Sequence, residues 1–209
     1  MKKSAFTMLE LVFVIVVIGI LAAVFIPRFE RDDIGEAAYQ IARHIRLAQH
    51  YALVEDRFND APAGVDWRET LWRITFVTSG NKNCYRVFAD RNGGGSANND
   101  EVAVDPLTKK RLNVGSTCSE GATVPDDILL WKSYGVSSVD LGNGCDTGYK
   151  NIAFDHLGRP GQVYNGTMNY LPSDCEIAIL TKNGHNATIT VTRDTGFVKV
   201  TRIDGTPLP

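Results

Sequence analysis

Between Asp90 and Glu101 the oxygen-bearing side chains fall at a spacing that could hold a hard cation. Asp90, Asn92, Asn98 and Glu101 occupy positions one, three, nine and twelve of a calcium loop, with Gly95 at the sixth, where such a loop turns sharply. Gly94 leaves the fifth position without an oxygen ligand, and strand-like flanks stand where helices would pin the loop. A solvated Gly/Asn hairpin loop is therefore the favoured reading over calcium. Asp155 and His156 form the one acid–imidazole neighbour pair. Adjacent strand residues face opposite ways, which favours a turn opening toward Gly158-Arg159-Pro160 over a catalytic dyad. The four histidines, His44, His50, His156 and His185, follow no ligand spacing. The sequence has no Gly-x-Ser-x-Gly elbow, no His-Glu-x-x-His and no phosphate-cradling glycine loop between a strand and a helix. Neither an enzyme nor a metal site nor a cofactor is expected.

The cysteines carry a different chemistry. Cys84, Cys118, Cys145 and Cys175 contain no CxxC pair and no zinc spacing, and their even number suits disulfides in an oxidising compartment. Four cysteines allow three connectivities, and sequence does not choose among them. The moderate loops closed by Cys84–Cys118 and Cys145–Cys175 favour that pairing, each bridge stabilising by roughly 3 kcal/mol in the chain-entropy model.

Glu10 stands as the one charge in the apolar stretch from Phe6 to Ile26. As a helix that stretch rises about 31 Å, against a hydrocarbon core of roughly 30 Å. A carboxylate there costs about 2.5–3.5 kcal/mol on insertion scales, so a partner is expected for it. Lys2 and Lys3 precede the stretch, which by the positive-inside rule keeps the N-terminus cytoplasmic and sends the remainder across the membrane. A cleaved secretory signal fits less well, because Val24-Phe25-Ile26 continues the apolar run past Ala22-Ala23. A plain anchor explains the length but not Glu10.

Lys2-Lys3-Ser4-Ala5 followed by Phe6-Thr7-Met8-Leu9-Glu10-Leu11, an apolar run and Pro27 resembles the class III signal of type IV pilins and type II secretion pseudopilins. The resemblance implies that prepilin peptidase cuts between Ala5 and Phe6 and methylates the new amine, with Ala5 standing where glycine is usual. Such a cut deletes both lysines and exposes a cationic amine at Phe6, which in a low-dielectric bundle is expected to pair with Glu10 of a neighbouring helix and set subunit register. The segments Ala42–Gln49, Val87–Gly94 and Ile152–Pro160, with the last strand opening at Gly196, are similar to the GspH/FimT type of minor pseudopilin. The implied partners are other pilins and pseudopilins, prepilin peptidase, an inner-membrane assembly platform, and secreted cargo or DNA. The implied location is the bacterial inner membrane, single-pass, with a periplasmic C-terminal domain that later enters a periplasmic or surface filament.

These residues need elements to position them. Ile34, Ala38, Ile41, Ile45, Ala48 and Ala52 recur at spacings of four and three, giving an amphipathic helix. The expected organisation is a leader at 1–5, a transmembrane and assembly helix at 6–27, an amphipathic continuation of the same stem at 28–58 with a kink at Pro27, and a β-rich periplasmic domain at 59–209. Trp72, Ile74 and Phe76 alternate with polar residues, as do Tyr85, Val87 and Ala89 after a turn at Ser79–Asn83, which predicts a hairpin. The runs 177–180, 187–192 and 197–203 predict a closing three-stranded meander. The expected fold is α+β and pilin-like, a long N-terminal helix packed on an antiparallel sheet. The formal net charge is −2 with no polybasic stripe, which argues against nucleic acid as the main partner. The alternative function, DNA capture by a FimT-like minor pilin, would rest on Lys182, Arg193, Lys199 and Arg202. Lys199 and Arg202, three apart, cannot share one face of a regular strand.

Overall fold

The computed structural model describes residues 7–25, 33–55, 64–93, 97–146, 148–164 and 166–202. The chain divides into two compact units, Met1–Asp32 and Asp33–Pro209.

The first unit holds one helix, α1 (Met8–Phe25), whose apolar residues are spread all round rather than gathered on a stripe. The second is α+β. Its helix α2 (Asp33–Val54) opens with Asp33 and Glu36 in the first turn, anions that favour a helix N-terminus. The chain continues through β1 (Trp72–Ser79), β2 (Lys82–Ala89), a 3-10 turn at Asp126–Ile128, α3 (Leu130–Ser133) and β3 (Val136–Gly142). It closes with β4 (Asn151–Phe154), β5 (Pro160–Tyr164), β6 (Thr167–Tyr170), β7 (Cys175–Thr181), β8 (Asn186–Val191) and β9 (Val198–Arg202). The strands form two antiparallel sheets, ordered β2-β1-β4-β5-β6 and β3-β7-β8-β9.

Two expectations are corrected here. A single long stem laid on one antiparallel sheet is not the architecture: the helical spans are Met8–Phe25 and Asp33–Val54, and the strands are divided between two sheets. The expected kink at Pro27 lies outside the described residues. Secondly, among the described residues no helix is long and apolar enough to cross a membrane. The single-pass inner-membrane placement is corrected accordingly. The 18 residues of α1 rise about 27 Å, and with Glu10 in its first turn the uncharged part begins only at Leu11. Among the described residues that part rises about 22 Å, against a hydrocarbon core of roughly 30 Å.

In the second unit the stripe Ile34, Ala38, Ile41, Ile45, Ala48 and Ala52 is buried, and α2 packs against strands of both sheets. Alanine dominates that face, which lets the helix axis come close to the strands. One core cluster joins α2 to Ile74, Phe76 and Phe154 of the larger sheet and to Ile177, Ile189 and Val198 of the smaller. Leu71, Ala153, Val163 and Met168 form a second, smaller cluster with Trp67 against it.

The hairpin pairs Trp72 with Ala89 and Ser79 with Lys82, and Gly80 supplies the positive φ of its two-residue turn. At the far end of α2 the Gln49 amide donates to the carbonyls of Gly158 (2.9 Å) and Thr195 (2.8 Å), tying two turns to the helix. Gly196 sits at φ +66°, and a Cβ there would lie 2.8 Å from the Gly158 carbonyl oxygen and 2.9 Å from the Phe154 ring. Only glycine fits that junction without displacement.

Candidate assembly interface

The helix α1 offers no polar stripe, and every large apolar side chain from Met8 to Leu21 is exposed, Met8 at 88% and Leu9 at 82%. So large an uncovered apolar surface makes α1 a candidate contact site. The glutamate is placed in a way the sequence reading missed. The Glu10 amide donates to the Thr7 hydroxyl oxygen (3.3 Å), and the Thr7 amide donates to a Glu10 carboxylate oxygen (3.4 Å). This reciprocal pair is a capping box, Thr-x-x-Glu, which satisfies two of the amides left over at a helix start. The signal was present in Thr7-Met8-Leu9-Glu10. Ala5 and Phe6 lie outside the described residues.

The remaining sequence-predicted residues are distributed as follows. Cys84 is joined to Cys118 and Cys145 to Cys175, at sequence separations of 34 and 30. Two disulfides suit an oxidising environment, periplasmic or extracellular. In the Asp90–Glu101 loop the ends are committed internally. The buried Glu101 carboxylate accepts the amides of Arg91 (2.9 Å), Asn92 (3.3 Å) and Asn98 (2.9 Å), and Asp90 pairs with Arg73 at 3.2 Å. Glu101 therefore organises its own loop, the task a bound cation would otherwise perform; Gly94 and Gly95 lie outside the described residues. The buried Asp155 accepts the amides of Leu157 and Arg159, the Arg159 guanidinium and the Tyr170 hydroxyl, all at 2.8–3.0 Å. Burial pushes its carboxyl up, but these donors outweigh it and hold the group below the usual carboxylate range. Asp155 closes a turn through these four hydrogen bonds to Leu157, Arg159 and Tyr170.

The four cations of the alternative reading are not brought together. Lys182 lies in the β7–β8 turn and Arg202 pairs through its backbone with Ala187, both at one end of the smaller sheet. Lys199 pairs with Thr190 near the other end, about 10 Å along β8 from Ala187. Arg193, just beyond that end, donates to Asp194 (3.1 Å) and to the Pro172 carbonyl (3.0 Å).

One charged cluster was not foreseen, because its members are scattered in sequence. His44 and Asp105 are fully buried, and His44 Nε2 lies 3.6 Å from Asp105. Arg43 stands 3.5 Å from Asp105 and 3.6 Å from Asp127, and His44 Nδ1 shares a 2.8 Å hydrogen bond with the Tyr85 hydroxyl. His44, Asp105 and Asp127 each offer one ligand atom, all within 4.8 Å of one another. The Arg43 guanidinium faces both carboxylates as an internal cation and offsets one of their two charges. Burial, with Arg43 beside it, lowers the His44 imidazole from 6.5 to about 4, against a smaller upward pull from Asp105.

The neutral histidine makes stability pH-dependent. Its folded value lies below its unfolded one, so the stability it contributes is complete above about pH 6.5 and is lost as the pH falls through about 4. The loss amounts to about 3 kcal/mol. Asp127, raised by burial and by Asp105, works in the opposite direction at the acid end of that window. Urea unfolding at pH 7 and pH 4.5 should show a clear fall in midpoint, and His44→Gln should flatten it. An equal fall in that variant would contradict the assignment.

Comparison with family models, with curated proteins and with solved structures returned no match.

Proposed function

We propose that this chain is a subunit of a pilin-like filament, a minor pseudopilin of the GspH/FimT type, which joins its neighbours through α1 after residues 1–5 are removed. The observation that carries this reading is the exposure of α1's apolar side chains on every side. The uncovered apolar side chains from Met8 to Leu21 are unfavourable in water and become favourable when packed against similar helices. The sequence preceding it, two lysines and a small residue ahead of Phe6-Thr7-Met8-Leu9-Glu10, fits processing by prepilin peptidase.

Further support comes from the second unit. Gln49, Gly158 and Gly196 belong to three separate segments that carry the resemblance, and they meet at one junction. Two disulfides suit an extracytoplasmic subunit. In this reading Glu10 has two roles. It caps its own helix through Thr7, and its second carboxylate face is offered to the Phe6 amine of the next subunit, fixing axial register. Other pilins or pseudopilins are the immediate partners, with secreted cargo as the load.

The test is the N-terminus of the mature protein, read by intact mass and N-terminal peptide fragmentation. The expected result is a chain beginning at N-methylated Phe6. A chain beginning at Met1, or at a residue beyond α1, would overturn the reading.

A further inference from the structure

Lys109, Lys110 and Arg111 are consecutive, exposed and, among the described residues, without an ion-pair partner. They line a cleft of about 470 Å³ together with Asn99, Asn113 and Thr123, side chains that add neutral hydrogen-bonding groups. Three of the neighbouring carboxylates are committed elsewhere. Asp105 is buried and turned to Arg43 and Thr108, Glu101 is occupied by backbone amides, and Glu120 holds Lys132 at 2.7 Å. Asp100 is exposed to solvent nearby. Three adjacent like charges repel one another, and an anion lodged among them relieves that repulsion.

The backbone gives a second, independent observation. Lys109 adopts φ +58°, the left-handed region in which glycine is the default residue and a side chain is disfavoured. The turn that imposes this conformation is firmly built. The Lys109 amide donates to the Asp105 carbonyl and the Asp105 amide to the Lys110 carbonyl, both at 2.9 Å. The Asp105 side chain accepts the Thr108 amide and hydroxyl at 2.9 and 2.7 Å, and its other oxygen faces Arg43 and His44 in the core. A lysine at a position suited to glycine, on a turn pinned to a buried network, is a cation held in place at a conformational cost. Strain of this kind collects where a side chain has a task.

We propose that the Lys109–Arg111 turn and the cleft beside it bind a small soluble ligand through a multiply charged phosphate group. The arginine fork suits two phosphate oxygens at once, the lysines supply point charges, and the asparagine and threonine side chains fit the uncharged part. The cleft volume falls within the usual range for small-molecule sites, roughly 300–1,000 Å³, and exceeds what a lone phosphate fills.

The experiment is a titration of the full chain with inorganic tripolyphosphate at low salt, followed by calorimetry and by thermal unfolding. Saturable binding that weakens steeply as salt rises is expected. Lys109→Gly should bind about tenfold more weakly while its unfolding midpoint stays unchanged or rises, since glycine relieves the turn; Lys110→Ala with Arg111→Ala should abolish binding without unfolding the chain. Absence of saturable binding in the wild-type chain would overturn the proposal. So would equal affinity in Lys109→Gly, or tighter retention of a single-stranded oligonucleotide than of tripolyphosphate, which would assign the turn to a nucleic-acid backbone instead. None of these outcomes depends on the filament reading, because the site lies in Asp33–Pro209 and is measured in solution.

Discussion

Reducing both disulfides should lower the unfolding free energy of the Asp33–Pro209 unit by about 7 kcal/mol, enough to unfold it at 37 °C. Each bridge closes a loop of moderate length, 34 residues for Cys84–Cys118 and 30 for Cys145–Cys175. With these loop lengths the chain-entropy relation gives about 3.5 kcal/mol for each, or about 7 for the two. The loops do not overlap in sequence, so the two contributions should nearly add. A typical domain is stable by about 5–15 kcal/mol, and most of that margin would be gone. The two bridges also differ in what they hold. Cys118 is buried at φ +50° in a stretch with little regular structure, where its bond to Cys84 in β2 fixes the loop on the core. Cys145 and Cys175 join the end of β3 to the start of β7, strands already paired in register. Loss of Cys84–Cys118 should therefore cost more. Denaturant titrations of Cys84→Ser/Cys118→Ser and Cys145→Ser/Cys175→Ser measure both quantities, and a change below about 1 kcal/mol for either pair would contradict the account.

The second large effect is expected in α1. Ile15 lies mid-helix with its side chain more than half exposed. Covering one such side chain on assembly contributes about 1.5–3 kcal/mol. An aspartate in its place forfeits that and buries an unpaired charge, which costs several kcal/mol more. Ile15→Asp should therefore enter filaments at least 100-fold less efficiently, while the unfolding midpoint of the Asp33–Pro209 unit stays unchanged. Co-assembly with wild-type subunits, scored by quantitative immunoblotting of sheared filaments, reads the first quantity and thermal unfolding reads the second. Near-normal incorporation of Ile15→Asp would mean that α1 is not the joining element.

Much of the second unit was legible because its signals are periodic. The stripe from Ile34 to Ala52 repeats at helical spacing, and the core burial of that face follows directly. Trp72 to Ala89 alternates at period two around a two-residue turn, and the 177–203 region does so twice more. Periodicity, however, reports which face of a strand is buried and not which sheet the strand joins. The division into β2-β1-β4-β5-β6 and β3-β7-β8-β9 was invisible for that reason. The strand β5 reads Pro-Gly-Gln-Val-Tyr and has little strand character; it forms because Gly161 lets the backbone of Asn169 approach to where a Cβ would lie 2.6 Å from its oxygen. The expectation of one stem on one sheet rests on helical periodicity, which says nothing of how many sheets the strands behind the helix form.

At the candidate sites the same contrast holds. Thr7-x-x-Glu10 is legible as a capping box, although an acidic residue in an apolar run points first to a distant partner. His44, Asp105 and Asp127 carry no sequence signature, since 61 residues separate the first two and only the packing of α2 on the 101–112 segment joins them. Lys109 gave no signal either. Its left-handed backbone follows from the turn that Asp105 builds, which is a tertiary fact.

The filament role of α1 is most directly tested by placing a photoreactive phenylalanine analogue at position 15 and irradiating assembled material. Crosslinks joining position 15 to the 8–25 segment of a neighbouring subunit are predicted. Crosslinks confined to the 33–209 region of the same chain, or none in material where the protein is present, would contradict the proposed mode of assembly.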